Sequence, residues 1–261
     1  MSNAEKTGKF VWYDLMTSEP AAAEDFYTKL VGWGTQPWEG GDKPNTMWTN
    51  QETPLGGVME MPEEVSASGV PPHWMAYVAV ENVRATAAKV NEVGGKILHD
   101  ATEIPGAGCF AVLADPQGAA FAVYSSTSEE DAPDQPPVGR FSWHELATSD
   151  YKGALAFYTD LFGWEPQDAM DMGEAGTYQI YGRGGESFGG MFDKPDEMPG
   201  PPMWLYYISV DDVNTSVGKV TELGGQVVNG PMEVPGGDLI AQCLDPQGAL
   251  FALHSAASSS D

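Results

Sequence analysis

The chain has 261 residues and carries 12 Lys and Arg against 38 Asp and Glu, a formal net charge of −26. This charge argues against a nucleic-acid-binding protein, because that class needs clustered cations to displace counterions, and it disfavours docking on anionic membranes. No apolar run approaches the ~20 residues of a membrane span, and residues 1–9 hold no apolar signal core. We therefore expect a cytoplasmic protein.

The chain repeats itself after about half of its length. Trp12-Tyr13-Asp14-Leu15 returns as Trp143-His144-Glu145-Leu146, and each copy leads into a segment that contains Phe-Tyr and then Gly-Trp. Further matches run to the end of the chain: Gly56-Gly57 with Gly189-Gly190, Trp74 with Trp204, Gly94-Gly95 with Gly224-Gly225, and Asp115-Pro116-Gln117-Gly118 with Asp245-Pro246-Gln247-Gly248. Each copy is long enough for one ordinary domain core. The sequence predicts domains over 8–126 and 139–256, joined by a Ser-, Pro- and acid-rich linker over 127–138.

Each copy begins with a strand and an amphipathic helix. Residues 10–16 alternate large and small side chains, which is typical of a strand. Residues 17–20, Thr-Ser-Glu-Pro, predict a helix start with a hydroxyl cap and proline in the first turn. Gly32 predicts the helix end, and in the second copy Asp150 is the predicted cap. The apolar face of the two helices is predicted from helical spacing: Ala23, Phe26, Tyr27 and Leu30, and Ala154, Phe157, Tyr158 and Leu161.

The remainder of each copy predicts short strands around a second helix. In the first copy, strands near 46–50 and 56–61 precede a loop over 62–72 and a strand over 74–80. A helix that starts at Glu81 or Asn82 ends at Gly94-Gly95, where glycine adopts the left-handed conformation. Three strands follow near 96–99, 109–114 and 119–124, and the Asp-Pro-Gln-Gly turn joins the last two. The predicted order of elements is therefore β-α-β-β(-β), twice in each copy.

The two cysteines, Cys109 and Cys243, fall at non-equivalent positions. Each matches a leucine in the other copy, Leu239 and Leu113 respectively. A thiol that replaces leucine behaves as a small hydrophobe. A disulfide framework or a thiolate metal site is therefore not expected.

A set of motifs in both copies carries a family resemblance. In each copy a strand precedes the pattern Ala-x-x-Phe-Tyr-x-x-Leu-x-Gly-Trp. Gly-Gly, a second βα segment and Asp-Pro-Gln-Gly follow. This pattern resembles the vicinal oxygen chelate superfamily, which includes glyoxalase I, bleomycin-resistance proteins and extradiol dioxygenases. The likeness extends to tandem two-domain actinobacterial proteins described as glyoxalase-like or as hydroxylases. It implies an α+β fold of two tandem glyoxalase-like domains, each made of two βαβββ modules that form a curved, cup-shaped sheet.

The resemblance also implies where a divalent metal would be bound. Metal-dependent members place ligands on the first, fifth and last strands of a cup. In this sequence those positions fall on residues without suitable donors: Trp12 and Trp143, Met75 and Leu205, and Ala122 and Ala252. No histidine of one copy is matched by a histidine at the equivalent position of the other copy. We therefore expect no metal and no other cofactor, unless displaced residues form an unusual site.

Asp14 and Glu145 are the candidate catalytic residues. Each lies two residues after a tryptophan of the repeat, and therefore shares that tryptophan's strand face. A carboxylate in an apolar cup can act as a general base, or can hold an amine or hydroxyl of a ligand. The alternative is a structural carboxylate that accepts hydrogen bonds from backbone amides or from the partner domain.

The candidate ligand-binding residues are tryptophans, because indole offers a flat wall to an aromatic or heterocyclic ligand: Trp12, Trp143, Trp48, Trp74 and Trp204. The alternative for each is packing in a core or between domains. Trp48 is aligned with Gln179, and this difference predicts that one copy is specialised.

Three functions follow from these observations. The preferred one is metal-independent binding of a small, aromatic or heterocyclic molecule. The second is a superfamily enzyme, a lyase, isomerase or oxygenase, that uses Asp14 and Glu145 as acid and base or as displaced metal ligands. The third is an interaction scaffold with vestigial pockets. Because two fused copies resemble a homodimer made in one chain, we expect a monomer with an internal pseudo-dimer of domains, a small-molecule ligand, and no nucleic-acid or membrane partner.

Overall fold

A computed structural model describes residues 6–38, 45–128 and 135–257. Residues 129–134 of the predicted linker lie outside the described residues. The first copy contains these elements: β1 (Phe10–Thr17), α1 (Pro20–Val31), β2 (Gly34–Trp38), β3 (Asn45–Asn50), β4 (Thr53–Glu60), α2 (Glu63–Ala67), β5 (His73–Ala79), α3 (Val83–Glu92), β6 (Lys96–Ile104), β7 (Gly108–Ala114) and β8 (Ala120–Ser126). The second copy contains these: β9 (Phe141–Thr148), α4 (Tyr151–Phe162), β10 (Glu165–Asp171), a 3₁₀ turn (Gly173–Ala175), β11 (Thr177–Arg183), β12 (Glu186–Asp193), β13 (Met203–Ser209), α5 (Val213–Glu222), β14 (Gln226–Glu233), β15 (Leu239–Leu244) and β16 (Leu250–Ser255).

The strands form two eight-stranded sheets of identical topology. Their orders are β2-β3-β4-β1-β5-β8-β7-β6 and β10-β11-β12-β9-β13-β16-β15-β14. β1 pairs in parallel with β4, and β9 with β12, whereas β3 and β4, and β11 and β12, are antiparallel. Each sheet therefore contains two βαβββ modules, and the predicted α+β class is confirmed. Within the described ranges, no helix has the length and apolar character needed to cross a bilayer.

The helix ends follow the sequence signals in most cases. The predicted hydroxyl cap of α1 is wrong: Glu19 occupies the cap position, and no side chain caps the helix. Gly32 ends α1 with a φ of 77°, as predicted. Asp150 caps α4 through the amide of Gly153, 3.0 Å away, and Asn82 caps α3. Strand β2 and the short helix α2 were not predicted, because neither has a clear apolar period.

Contacts divide the chain into two compact units that do not follow the order of the copies. Unit 1 comprises Met1–Trp12, Met75–Asp131 and Trp143–Leu205, and unit 2 comprises Tyr13–Trp74, Ala132–Ser142 and Tyr206–Asp261. Each unit therefore combines the second module of one copy with the first module of the other.

The core of unit 1 is organised by Tyr158 of α4. Its hydroxyl donates a hydrogen bond to Oδ2 of Asp115 at 3.1 Å, and it accepts one from Nε1 of Trp204 at 3.2 Å. Oδ1 of Asp115 accepts hydrogen bonds from three backbone amides of its own turn, residues 117–119. The predicted apolar face of α4 is confirmed except at its end, where Phe162 is buried instead of Leu161.

Unit 2 repeats this arrangement with the equivalent residues. Tyr27 donates to Oδ2 of Asp245 at 3.2 Å, and Nε1 of Trp74 donates to the Tyr27 hydroxyl at 2.9 Å. Burial and the neighbouring Asp245 raise the pKa of Tyr27 well above its usual value, so the phenol remains a donor. All four residues of the predicted α1 face are buried.

Candidate functional site

Strand β9 has one face in the core and one face that remains partly accessible. His144 and Leu146 are buried, whereas Trp143 and Glu145 are half-buried. The His144 ring stacks on Phe10, with ring centroids 3.7 Å apart and planes inclined by 4°. Its Nδ1 donates to a backbone carbonyl at 2.8 Å, and burial lowers its pKa to about 4. His144 is therefore a neutral core residue, and the chemistry of β9 lies on the face of Trp143 and Glu145.

Four residues on that face form a connected group, which we call the Glu145 cluster: Trp143, Glu145, Tyr178 and Phe192. The Tyr178 hydroxyl donates a hydrogen bond to Oε2 of Glu145 at 2.9 Å. Nε1 of Trp143 donates to the Tyr178 oxygen at 2.8 Å. The Tyr178 and Phe192 rings stack with centroids 6.0 Å apart. All four side chains are half-buried, so the cluster combines an oriented carboxylate with three aromatic rings.

A glycine explains how the cluster forms. Gly190 on β12 is paired with Glu145 in the parallel β9–β12 ladder. A Cβ atom added at Gly190 would lie 2.0 Å from Cε1 of Tyr178. The absence of a side chain at this position lets the Tyr178 ring lie across β12, from where its hydroxyl reaches Glu145.

The first copy places its carboxylate differently. Asp14 is only 5% exposed, and its Oδ1 lies 2.7 Å from the position that a Cβ atom on Gly57 would take. The β3–β4 and β11–β12 registers place Asn45 where the second copy has Tyr178. The shorter acid therefore lies on the glycine, whereas in the second copy the tyrosine ring fills that space and the longer Glu145 extends beyond it. The two predicted catalytic acids are not equivalent.

Three of the five predicted ligand-binding tryptophans lie in the cores. Trp48 is fully buried, and Trp74 and Trp204 are 5% and 8% exposed. Trp48 pairs with Gly56 as Tyr181 pairs with Gly189, so its predicted alignment with Gln179 was wrong. These rings pack on other aromatic residues of their unit, and this packing gives a ligand role no support. Trp12 and Trp143 are half-buried.

The metal positions implied by the resemblance do not fit a metal. They hold indole, thioether or aliphatic groups, and Met75, Leu205, Ala122 and Ala252 are all buried. In the part of the chain that the structure describes, no three His, Cys, Asp or Glu residues are grouped so as to hold an ion.

A second polar chain, in unit 2, was missed by the sequence reasoning. His254 Nε2 donates to Oδ2 of Asp238 at 3.0 Å, and Nδ1 lies 3.0 Å from the Ser142 hydroxyl. The His254 hydrogen bond lowers the pKa of Asp238. His254 matches Tyr124 in the other copy, whose hydroxyl donates instead to a backbone carbonyl. No sequence signal connects these three residues, because they are far apart along the chain: Ser142 lies on β9, His254 lies on β16, and Asp238 directly precedes β15.

The two thiols are buried and unpaired with each other. Burial raises the pKa of Cys243 to about 12, so it is not a nucleophile near neutral pH. Cys109 lies in a pocket of about 230 Å³ at the start of α3, where Arg84 and Glu103 form an ion pair of 3.1 Å. Burial also raises the pKa of Cys109.

Comparison with known proteins shows which family the chain resembles. Residues 140–253 match the Glyoxalase/Bleomycin resistance protein/Dioxygenase superfamily, and residues 11–124 match a glyoxalase-like domain. The chain is 34% identical over 245 residues to the putative glyoxylase CFP32 of Mycobacterium tuberculosis, covering 93% of this chain and 92% of that protein. It is 30% identical over 260 residues to the anthracycline biosynthesis protein DauV of a Streptomyces species, covering 94% and 92%.

Solved structures of low identity show the same fold. The Mn(II)-bound glyoxalase from Novosphingobium aromaticivorans superimposes with a TM-score of 0.64 at 18% identity, covering 96% of this chain and 82% of that one. The 2,3-dioxygenase LapB from Pseudomonas sp. KL28 gives a TM-score of 0.67 at 11% identity, covering 97% and 94%.

Proposed function

The chain belongs to the glyoxalase/bleomycin resistance protein/dioxygenase superfamily, and on this basis we propose that it binds a small aromatic or heterocyclic molecule at the Glu145 cluster without a metal ion. The observation that carries the proposal is the hydrogen-bonded chain from Trp143 through Tyr178 to Glu145. It fixes two aromatic rings and a carboxylate on a half-buried face, where rings supply contact area and a polar group fixes orientation.

Two further facts support this proposal. The family's metal positions hold side chains that are poor ligands, so binding by direct contact is the chemistry that the residues provide. Two Streptomyces relatives are named anthracycline biosynthesis proteins, and an anthracycline is a polycyclic aromatic compound. A planar aromatic ligand fits both facts.

The experiment is calorimetric titration of planar aromatic compounds, acridine among them, into protein kept in a chelator. Trp143→Ala should weaken binding about tenfold, because it removes both stacking area and the donor to Tyr178. Trp12→Ala should weaken binding less, because Asn45 replaces the tyrosine in that copy. Binding that requires an added divalent ion, or an equal loss in both variants, would contradict the proposal.

A second function, enzymatic proton transfer by Glu145, is favoured by one observation. Tyr178 holds one oxygen of a half-buried carboxylate in a fixed orientation, as a general acid or base requires. Glu145→Gln should then abolish turnover while the ligand still binds. Asp14→Asn tests the other predicted acid, and loss of turnover in that variant alone would move the reaction to the first copy.

A further inference from the structure

Three residues of unit 2, Ser142, His254 and Asp238, form a hydrogen-bonded group that we call the His254 triad. It shares no residue with the Glu145 cluster. Both sides of the imidazole are engaged, the serine side and the aspartate side each at 3.0 Å, which is within hydrogen-bonding range. A hydroxyl beside a histidine that a carboxylate orients is the arrangement that activates serine as a nucleophile.

The hydrogen-bond partners determine which imidazole nitrogen carries the hydrogen. The hydrogen bond from His254 lowers the pKa of Asp238, so this carboxylate is ionised near neutral pH and can only accept hydrogen bonds. Nε2 of His254 therefore carries a hydrogen, and in the neutral ring Nδ1 is an acceptor. The Ser142 hydroxyl can then donate to Nδ1 at 3.0 Å, which is closer than its other acceptor, the Tyr207 carbonyl at 3.4 Å. The basic nitrogen thus faces the serine.

The carboxylate of Asp238 is fixed through both of its oxygens. Oδ2 accepts the hydrogen bond from His254, and Oδ1 accepts one from the backbone amide of Ala257 at 2.8 Å. A carboxylate held in this way orients the imidazole ring, and it stabilises the imidazolium that forms when the ring takes a proton. Asp238 therefore supplies the third part of the arrangement.

The first copy has none of these three side chains at the equivalent positions, which are Val11, Gly108 and Tyr124. A Cβ atom at Gly108 would lie 2.8 Å from Cε2 of Tyr124, so the first copy has no room for a side chain beside its tyrosine. Both copies nevertheless complete sheets of the same topology. The fold therefore does not require the His254 triad, and this favours a chemical role for it.

The triad is accessible from solvent to a limited extent. The side chains of His254 and Asp238 are 23% and 40% exposed, and Ser142 is half-buried. The residue equivalent to Ser142 in the first copy, Val11, is 36% exposed, so this strand position is accessible in both copies. Because access to Ser142 is partial, a small acyl donor suits it better than a large one.

We propose that Ser142 is a nucleophile that accepts the acyl group of small, activated carboxylic esters, with His254 as its base and Asp238 as a positioning residue. Oγ of Ser142 forms a bond to the ester carbonyl carbon, and its proton passes to Nδ1 of His254. The bond from that carbon to the alcohol oxygen then breaks, and the alcohol leaves with the proton from His254. Water, deprotonated by the same imidazole, releases the acid and regenerates the serine. This activity goes beyond the ligand binding proposed for the Glu145 cluster and does not depend on it.

The test is reaction of the protein with p-nitrophenyl acetate, followed by release of p-nitrophenolate and then by peptide mass spectrometry. The acetyl group should be found on Ser142, and Ser142→Ala should abolish this acetylation. His254→Gln should lower the acetylation rate about a hundredfold, since a positioned general base contributes ~10²–10⁴. Asp238→Asn should lower the rate roughly tenfold or more, and Asp238→Glu should restore part of the loss, which a merely structural role would not predict.

The matched control is His73→Gln, which removes another imidazole of unit 2 and leaves the His254 triad intact. It should change neither the rate nor the site of acetylation, whereas unspecific catalysis by surface imidazole would respond to it. Thermal unfolding establishes that each variant is folded before rates are compared.

Three results would overturn the inference. One is an acetyl group found only on residues other than Ser142, which the wild-type protein alone reveals even where a substitution prevents folding. Another is release of p-nitrophenolate that is as fast in Ser142→Ala as in the wild type. The third is an equal loss of rate in His73→Gln and His254→Gln.

Discussion

Replacing His144 by tyrosine should show how much this one buried histidine contributes to the loss of stability in acid. Tyrosine is the residue at the equivalent position of the first copy, where Tyr13 stacks on Phe141 with ring centroids 3.8 Å apart. His144 stacks on Phe10 in the same manner. The substitution therefore retains the stacked core and removes the imidazole.

The size of the effect follows from the histidine pKa. Burial lowers the pKa of His144 from 6.5 to about 4. In this window the unfolded chain binds one more proton than the folded protein, so stability is lost as the pH falls from 6.5 towards 4. Each pH unit between these two pKa values lowers the free energy of unfolding by about 1.4 kcal/mol. Over the whole window, His144 therefore lowers the free energy of unfolding by roughly 3 kcal/mol.

The assay is urea unfolding of the wild type and of His144→Tyr at a series of pH values from neutral to acid. The quantity of interest is the difference between the two unfolding free energies, because the contributions of all other titrating groups cancel in it. The wild type should lose roughly 3 kcal/mol relative to the variant across the window. Tyr13→Phe is the control and should give a constant difference, because burial raises the pKa of Tyr13 well above its usual value.

A constant difference between the wild type and His144→Tyr would refute this reasoning. It would mean that the folded protein accepts a proton on His144 as readily as the unfolded chain does. The neutral imidazole, stacked on Phe10 and hydrogen-bonded to a backbone carbonyl, would then not be the form that the folded protein requires.

Three further outcomes are expected. Asp115→Ala should reduce the unfolding free energy by about 3 kcal/mol or more, measured by urea unfolding, because three turn amides and the Tyr158 hydroxyl lose their acceptor; a loss below about 1 kcal/mol would show that water replaces the carboxylate. Gly190→Ala should displace the Tyr178 ring and weaken aromatic ligands about as much as Trp143→Ala does, so unchanged affinity would remove Tyr178 from the site. Cys243, whose pKa is about 12, should react with iodoacetamide only after denaturation, and labelling of the folded protein would contradict its burial.

The sequence predicted features that depend on local periodicity. The apolar face of α1, its glycine end and the Asp150 cap each follow from residues within one helix. The placement of Trp143 and Glu145 on one face of β9 is likewise local, because they are two residues apart on a strand; the burial of His144 on the other face was not predicted.

The Glu145 cluster could not be predicted, because it depends on register between strands. Tyr178 reaches Glu145 across β12, and its position is determined by a ladder that shifts between Tyr181 and Gly182. Trp48 was aligned with the wrong partner for another reason: the second copy is two residues longer between Trp164 and Gly189 than the first copy is between Trp33 and Gly56. Repeat comparison also gave Tyr178 no prominence, since its counterpart is Asn45.

The tyrosine–aspartate hydrogen bonds have a consequence for the order in which the chain becomes stable. Tyr27 and Asp245 are 218 residues apart, and unit 2 is built from the beginning and the end of the chain. Its core therefore cannot close on the ribosome until the segment Tyr206–Asp261 has been synthesised, whereas the segments Met75–Asp131 and Trp143–Leu205 of unit 1 emerge earlier. Cleavage in the linker would leave two fragments that each hold half of both cores, so they would regain structure by complementing each other and not as separate domains.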